Sequence, residues 1–209
     1  MALSVSLVLA CALFSKAYPL QCVECIPTGP EPCTPAQVTC PAKLTRCASM
    51  TVANFVGGQK TLEITMKTCE APTECVSGSL SLQDERTTVN IYCCGTDLCH
   101  NQDPPALTDN SPNGKQCFEC VENNCTFTQK CRGIEDHCIT ISATDRNKTQ
   151  THKGCASQTV CSGILRDKVG LGTGLDIYCC KGNLCNNGLP VEQSFLLLLV
   201  SLASFILLY

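Results

Sequence analysis

The chain has 209 residues, 21 of them cysteine, no tryptophan, 5% aromatic residues and a net charge of −3. Cysteine at that density marks a disulfide scaffold, which argues against a cytosolic enzyme, because reducing compartments keep thiols reduced. The near-neutral charge argues against a nucleic-acid binder. An odd cysteine count requires one thiol to be reactive, to pair between chains, or to be missing from the mature protein.

Both ends read as addresses. Leu3 to Phe14 is an apolar run followed by Ser15-Lys16-Ala17, with small residues at the −3 and −1 positions of a cleavage after Ala17. Residues 1–17 are therefore expected to be a secretory signal peptide. It contains Cys11, and its removal leaves 20 cysteines, an even number. At the other end, Phe195 to Tyr209 is 15 almost wholly apolar residues with no basic residue after them. A spanning helix needs about 20. Upstream lie Asn186-Asn187-Gly188 and the short spacer Leu189 to Ser194. Small site, spacer and apolar tail form the grammar of a glycosylphosphatidylinositol (GPI) signal. The expectation is attachment at Asn186 or Asn187, a discarded segment 188–209, and residence on the outer face of the plasma membrane, with a secreted form after cleavage.

Between the addresses the chain repeats itself. Gln21-Cys22-Val23-Glu24-Cys25 returns as Gln116-Cys117-Phe118-Glu119-Cys120, and Ile91-Tyr92-Cys93-Cys94 returns as Ile177-Tyr178-Cys179-Cys180. The residues between successive cysteines number 2, 7, 6, 6, 21, 5, 17, 0 and 4 in the first copy and 2, 4, 5, 6, 16, 5, 17, 0 and 4 in the second. The three gaps that differ are expected to be loops, which tolerate length changes. The copies fall at 18–101 and 117–187. Residues 102–116 hold Pro104, Pro105, Pro112 and Asn113-Gly114 without apolar periodicity, and read as an exposed linker open to proteolysis.

Within each copy the apolar residues alternate. Leu62, Ile64 and Met66, then Val89 and Ile91, then Ile139 and Ile141, then Leu175 and Ile177 each skip a polar neighbour. These are short, half-exposed antiparallel strands. Six aromatic residues in the mature chain (Tyr18, Phe55, Tyr92, Phe118, Phe127 and Tyr178) cannot build two cores. Disulfides, each contributing roughly 2–4 kcal/mol on the chain-entropy account, supply the deficit. The spacing alone does not choose their partners. Cys93 and Cys94 point to opposite faces of a strand and so serve two bridges; Cys94 can reach Cys99, and Cys93 pairs elsewhere.

The double cysteine followed by Leu-Cys-(His/Asn)-Asn, with Leu20-Gln21-Cys22-Val23-Glu24-Cys25, resembles the lymphocyte-antigen-6/urokinase-receptor (LU) family. The resemblance covers nearly the whole mature chain, twice. It implies a small, disulfide-rich, all-β fold: two tandem three-finger (snake-toxin-like) domains. It implies bridges Cys22–Cys47, Cys25–Cys33, Cys40–Cys69, Cys75–Cys93 and Cys94–Cys99, then Cys117–Cys138, Cys120–Cys125, Cys131–Cys155, Cys161–Cys179 and Cys180–Cys185. The family places Asn after the last cysteine to pin the C-terminal loop. Asn186 fits, whereas the first copy has His100, with Asn101 one place later. On this scaffold the second finger of the first copy ends at Asn54-Phe55-Val56-Gly57-Gly58-Gln59. Phe55 and Val56 either stand out as apolar ligand contacts or fold back on their own sheet. The corresponding tip of the second copy, Asp145 to Thr149, contains the sequon Asn147-Lys148-Thr149; Asn124-Cys125-Thr126 is another. A glycan on Asn147 would shield that tip and leave partner contact to the first copy.

Catalytic signals are absent. The Cys-x-x-Cys pairs belong to the framework rather than to zinc or redox chemistry. Gly170, Gly172 and Gly174 precede a strand, not a helix, and read as a flexible finger-three loop rather than a phosphate loop. His100, His137 and His152 accompany no nucleophile or zinc motif. Arg146, Lys148, His152 and Lys153 read as a solvated loop, with sulfated glycans as the alternative. No catalytic residue, cofactor, metal or nucleic acid is expected. The resemblance implies a non-enzymatic, GPI-anchored receptor or adhesion protein that binds an extracellular protein ligand. Its alternatives are a two-domain inhibitor of a secreted phospholipase, or a modulator of an ion-channel receptor or of gamete adhesion.

Overall fold

The structure, a computed structural model, describes residues 19–27, 33–122, 124–145 and 148–188. The signal segment 1–17, Tyr18, Arg146, Asn147 and the apolar tail lie outside the described residues. In the first copy, β1 (Gln21–Glu24) and β2 (Ala36–Thr39) form one hairpin, β3 (Arg46–Val56) and β4 (Gln59–Glu70) a second, and β5 (Gly78–Leu82) and β6 (Glu85–Cys94) a third. The β3–β4 turn is Gly57-Gly58 with φ of +58° and +81°. Two positive values in a two-residue turn match the twist of the flanking strands. In the second copy, β7 (Pro112–Val121) pairs β8 (Asn124–Arg132), and β9 (His137–Asp145) pairs β10 (Lys148–Ala156) and β11 (Asp176–Cys180). The alternating segments of the sequence all lie on these strands, Leu175 one place before β11.

The second copy departs from the first in its third finger, although the cysteine gap is 17 residues in both. Instead of a strand, one helical turn α1 (Gln158–Cys161) leads into a chain of turns. This segment buries Val160, Leu165, Val169 and Leu171. The loop expected to be flexible around Gly170 is therefore anchored by apolar side chains on both sides of that glycine. Period-two reading misses it because its buried residues follow no strand or long-helix repeat.

The two copies are fused into one sheet. Seven strands run in the order β11-β9-β10-β5-β6-β3-β4. The seam is antiparallel, with Leu80 opposite Ala156, Ser81 opposite Cys155 and Leu82 opposite Gly154. A Cβ built on Gly154 would fall 2.0 Å from the Ser81 carbonyl oxygen, so only glycine fits where β5 and β10 meet. Met50, Leu80 and Val89 of the first copy share one apolar cluster with Ile139, Ile141, Ala156, Val160 and Leu165 of the second. Two modules too small for separate cores thus pool one.

On the opposite, polar face Arg86 meets Glu135 at 3.0 Å, with both side chains buried. Ser79 and Ser81 donate to the same Glu135 carboxylate oxygen, and its other oxygen accepts from the Arg132 backbone N–H. A buried ion pair is tolerable only when its remaining valences are filled in this way.

The expected linker is exposed along most of its length, yet it is not free. Its last residues already belong to β7. The preceding stretch crosses the polar face as a strap. Ser49 Oγ and Lys67 Nζ reach Asp103, Thr51 Oγ1 donates to the Pro104 carbonyl, Asn90 Nδ2 to that of Pro105, and Arg86 to that of Asp109. Proline offers only a carbonyl, so the sheet supplies the donors. Burial raises the pKa of the Asp103 carboxyl, but the bonds from Ser49 and Lys67 outweigh it and hold the group below its ordinary value.

Three outcomes follow. Glu135→Ala, which strands a buried guanidinium, lowers unfolding free energy by about 3–5 kcal/mol in a denaturant titration. A chain cut at an engineered protease site at Thr108 elutes as one species in native buffer and separates only in denaturant, since all ten disulfides lie within modules. Because the Asp103 pKa is lowered in the fold, its stabilisation is present above about pH 4 and is lost as pH falls through the folded value. Cleavage at the engineered Thr108 site should accelerate there before the amides of β3 lose protection.

Candidate ligand-binding face

The frame that holds the fingers is covalent. The first module contains Cys22–Cys47, Cys25–Cys33, Cys40–Cys69, Cys75–Cys93 and Cys94–Cys99. The second contains Cys117–Cys138, Cys120–Cys125, Cys131–Cys155, Cys161–Cys179 and Cys180–Cys185. The sulfur-rich clusters Cys22/Cys40/Cys69, Cys117/Cys131/Cys155 and Cys47/Cys99/His100 draw their sulfurs from these bridges. A half-cystine has no thiolate to give a metal, so these groups are structural.

The C-terminal loops are pinned differently. Asn186 is fully buried; its Oδ1 accepts from the Phe118 N–H, and its Nδ2 donates to the carbonyls of Phe118 and Ile139. In the first module His100 takes that place. Its Nε2 meets the Val23 carbonyl at 2.9 Å, and its Nδ1 is buried without a partner. One bond replaces three. Asn101 recovers part of the difference: with its amide turned, it donates to the carbonyls of Leu98 and Cys99.

The sheet has two unlike faces. Even-numbered residues of β3 share a face with the pooled core, and odd-numbered ones face the strap. Phe55 and Val56 therefore point to opposite sides. Phe55 is half-buried on the strap side, opposite Arg86 in the ladder. Val56 is exposed on the apolar side, as is Leu62. Half-buried Val52 and Ile64 face each other one pair further from the tip, towards the core, and half-buried Leu82 lies on the same side of β5. The α1 segment covers the core end of this face and leaves the finger tips open. Leu62, Ile64 and Leu82 escaped the sequence reading as surface residues because alternation marks a residue as apolar-facing without saying how far the cover extends.

A second concavity lies between the modules, lined by Gln83, Asp84, Asn110, Glu119, Val121 and Arg132. Burial, opposed by Arg132 and reinforced by Asp84, holds the Glu119 carboxyl above its ordinary pKa. Among the described sequon residues, Asn124 is exposed at the start of β8. Its Oδ1 accepts from both the backbone N–H and the hydroxyl of Thr126. Asn187 is exposed, and its carbonyl accepts from Lys153, an ammonium whose pKa burial lowers. Lys153 is thus no part of a solvated basic cluster.

The u-PAR/Ly-6 domain model matches residues 19–102, and the model for snake toxin and toxin-like proteins matches residues 115–186. Xenoxin-3 of Xenopus laevis is 32% identical over 71 residues, which cover 34% of this chain and 97% of that protein. The chain belongs to the u-PAR/Ly-6 family. Other relatives of this family are longer. The urokinase plasminogen activator surface receptor of Bos taurus is 28% identical over 125 residues, 56% of this chain and 38% of the receptor. That of Rattus norvegicus is 29% identical over 119 residues, 52% of this chain and 36% of the receptor. The chain thus spans well under half the length of these receptors.

Asn186→Ala strands the Phe118 N–H and two carbonyls; the expected cost is about 1–3 kcal/mol by chemical denaturation. His100→Ala, which frees one carbonyl, costs less.

Proposed function

We propose that the protein is a receptor- or adhesion-type molecule of the cell surface that binds an extracellular protein ligand through the open apolar face of the first module. The observation that carries this reading is the exposed pair Val56 and Leu62, which continue the apolar face of the sheet beyond the part that α1 covers. Exposed apolar side chains on a disulfide-braced hairpin are suited to binding, because little conformational entropy is lost on docking. The relatives named as surface receptors support the same class.

Membrane attachment through a GPI lipid belongs to this reading. Among the described residues no helix is long and apolar enough to cross a membrane. Asn186 is committed to the fold, so the attachment point is assigned to exposed Asn187. Residues 1–17 act as the signal, and Asn124 and Asn147 as glycan acceptors. The working chain is then 18–187, non-enzymatic and without cofactor.

Full-length protein on cells is expected to be released by phosphatidylinositol-specific phospholipase C, and retention after digestion would refute the anchor. Proximity labelling on the same cells should recover a protein ligand. Val56→Ser should reduce that recovery several-fold, whereas Phe55→Ser, on the strap side, should not. Equal recovery with Val56→Ser would reject the face.

A further inference from the structure

His100 burdens the fold in a way that Asn186 does not. Each directly follows the last cysteine of its module, and each is buried. Both polar atoms of the Asn186 side chain are bonded. His100 meets the Val23 carbonyl through Nε2, and a carbonyl only accepts, so Nε2 carries the ring's proton. Nδ1 is then a bare lone pair, buried without a partner among the described residues. An unmade bond of this kind calls for a reason. A ring nitrogen of His100 and the sulfurs of Cys47 and Cys99 all lie within 4.8 Å of one another. The other two sulfur clusters, Cys22/Cys40/Cys69 and Cys117/Cys131/Cys155, hold no imidazole and are buried throughout. The Cys94–Cys99 bridge is only half-buried, and the residues it encloses, 95–98, are all exposed. A reagent in water has access to it.

We propose that Cys94–Cys99 is a redox-responsive bridge, opened by extracellular thiols with His100 as proton donor. An attacking thiolate forms a bond to Cys94 Sγ, the Cys94–Cys99 bond breaks, and its electron pair leaves on Cys99 Sγ. Leaving is faster when the departing sulfur is stabilised as a thiolate, and an imidazolium within about 4–6 Å does this. Protonated His100 pairs with the new thiolate and can pass it the Nδ1 proton. A second reagent thiol then attacks the mixed disulfide and frees Cys94, so the bridge is reduced and the two reagent thiols are oxidised to one disulfide. Among charged groups, Asp103 of the strap lies near enough for its charge to interact with that of the ring, and Lys67 holds the same carboxylate. β1 and β3 contribute the Val23 carbonyl and the Cys47 sulfur, which do not titrate. Opening the bridge would untie the chain directly ahead of the strap.

The second module supplies the control. Cys180–Cys185 encloses four residues like its counterpart, is half-buried too, and has Asn186 in place of the imidazole. Full-length protein is given a short pulse of dithiothreitol, the freed thiols are alkylated, and each cysteine is quantified by peptide mass spectrometry. Cys94 and Cys99 should be labelled several-fold more than Cys180 and Cys185. Both bridges meet the same thiolate concentration, so its pH dependence cancels in that ratio. The ratio should fall from about pH 6 to pH 8 as imidazolium gives way to imidazole. His100→Asn installs the residue that the second module uses there, and absence of free thiols before the pulse verifies its folding. It should bring the ratio to about one at every pH. A wild-type ratio of about one, a wild-type ratio that does not change with pH, as mere loosening of the loop would give, or an undiminished ratio in His100→Asn would each overturn the proposal.

Discussion

The structure depends on a shortage of apolar side chains. Neither module holds enough of them to exclude water alone, and disulfides constrain the unfolded chain without filling a core. The resolution is to share. β5 and β10 close the sheet between modules, the α1 segment lays its apolar side chains over the joint, and Arg86 with Glu135 satisfies the polar face. Each part requires the others: without the seam, Leu80 and Ala156 face water; without Glu135, a guanidinium is buried alone.

That arrangement explains the strap. A linker between independent modules has no reason to bond along its length. Here it lies over a polar sheet face whose donors, Ser49, Thr51, Arg86 and Asn90, would otherwise be covered without partners. Prolines at 104 and 105 suit the task because they add acceptors and no donor that needs satisfying. Composition was informative about exposure and misleading about freedom.

Much of the frame was legible in the sequence. The repeat, the alternating strands and the position of the second finger's turn are written in cysteine spacing, period two and Gly57-Gly58. The disulfide partners came through family resemblance, since spacing does not select them. The joining of the modules was not legible. A strand that pairs with its own hairpin and one that pairs with another module have the same alternation, and only Gly154, unremarkable by itself, marks the close approach. The candidate face was half legible. Phe55 and Val56 were found together at a turn, but adjacent strand residues look in opposite directions, and the cover over one side came from the one segment without strand periodicity. Asn186 was readable both as a pin and as an attachment point; its burial favours the first.

All ten cross-links are internal to a module, so none resists tension between modules. If one end of the molecule is held near Asn187 and the other at the first finger tips, the load passes through the β5–β10 seam and the strap before the polypeptide between them draws taut. The strap's hydrogen bonds are then sacrificial: they can yield in series, release slack and re-form, while each knotted base keeps its shape.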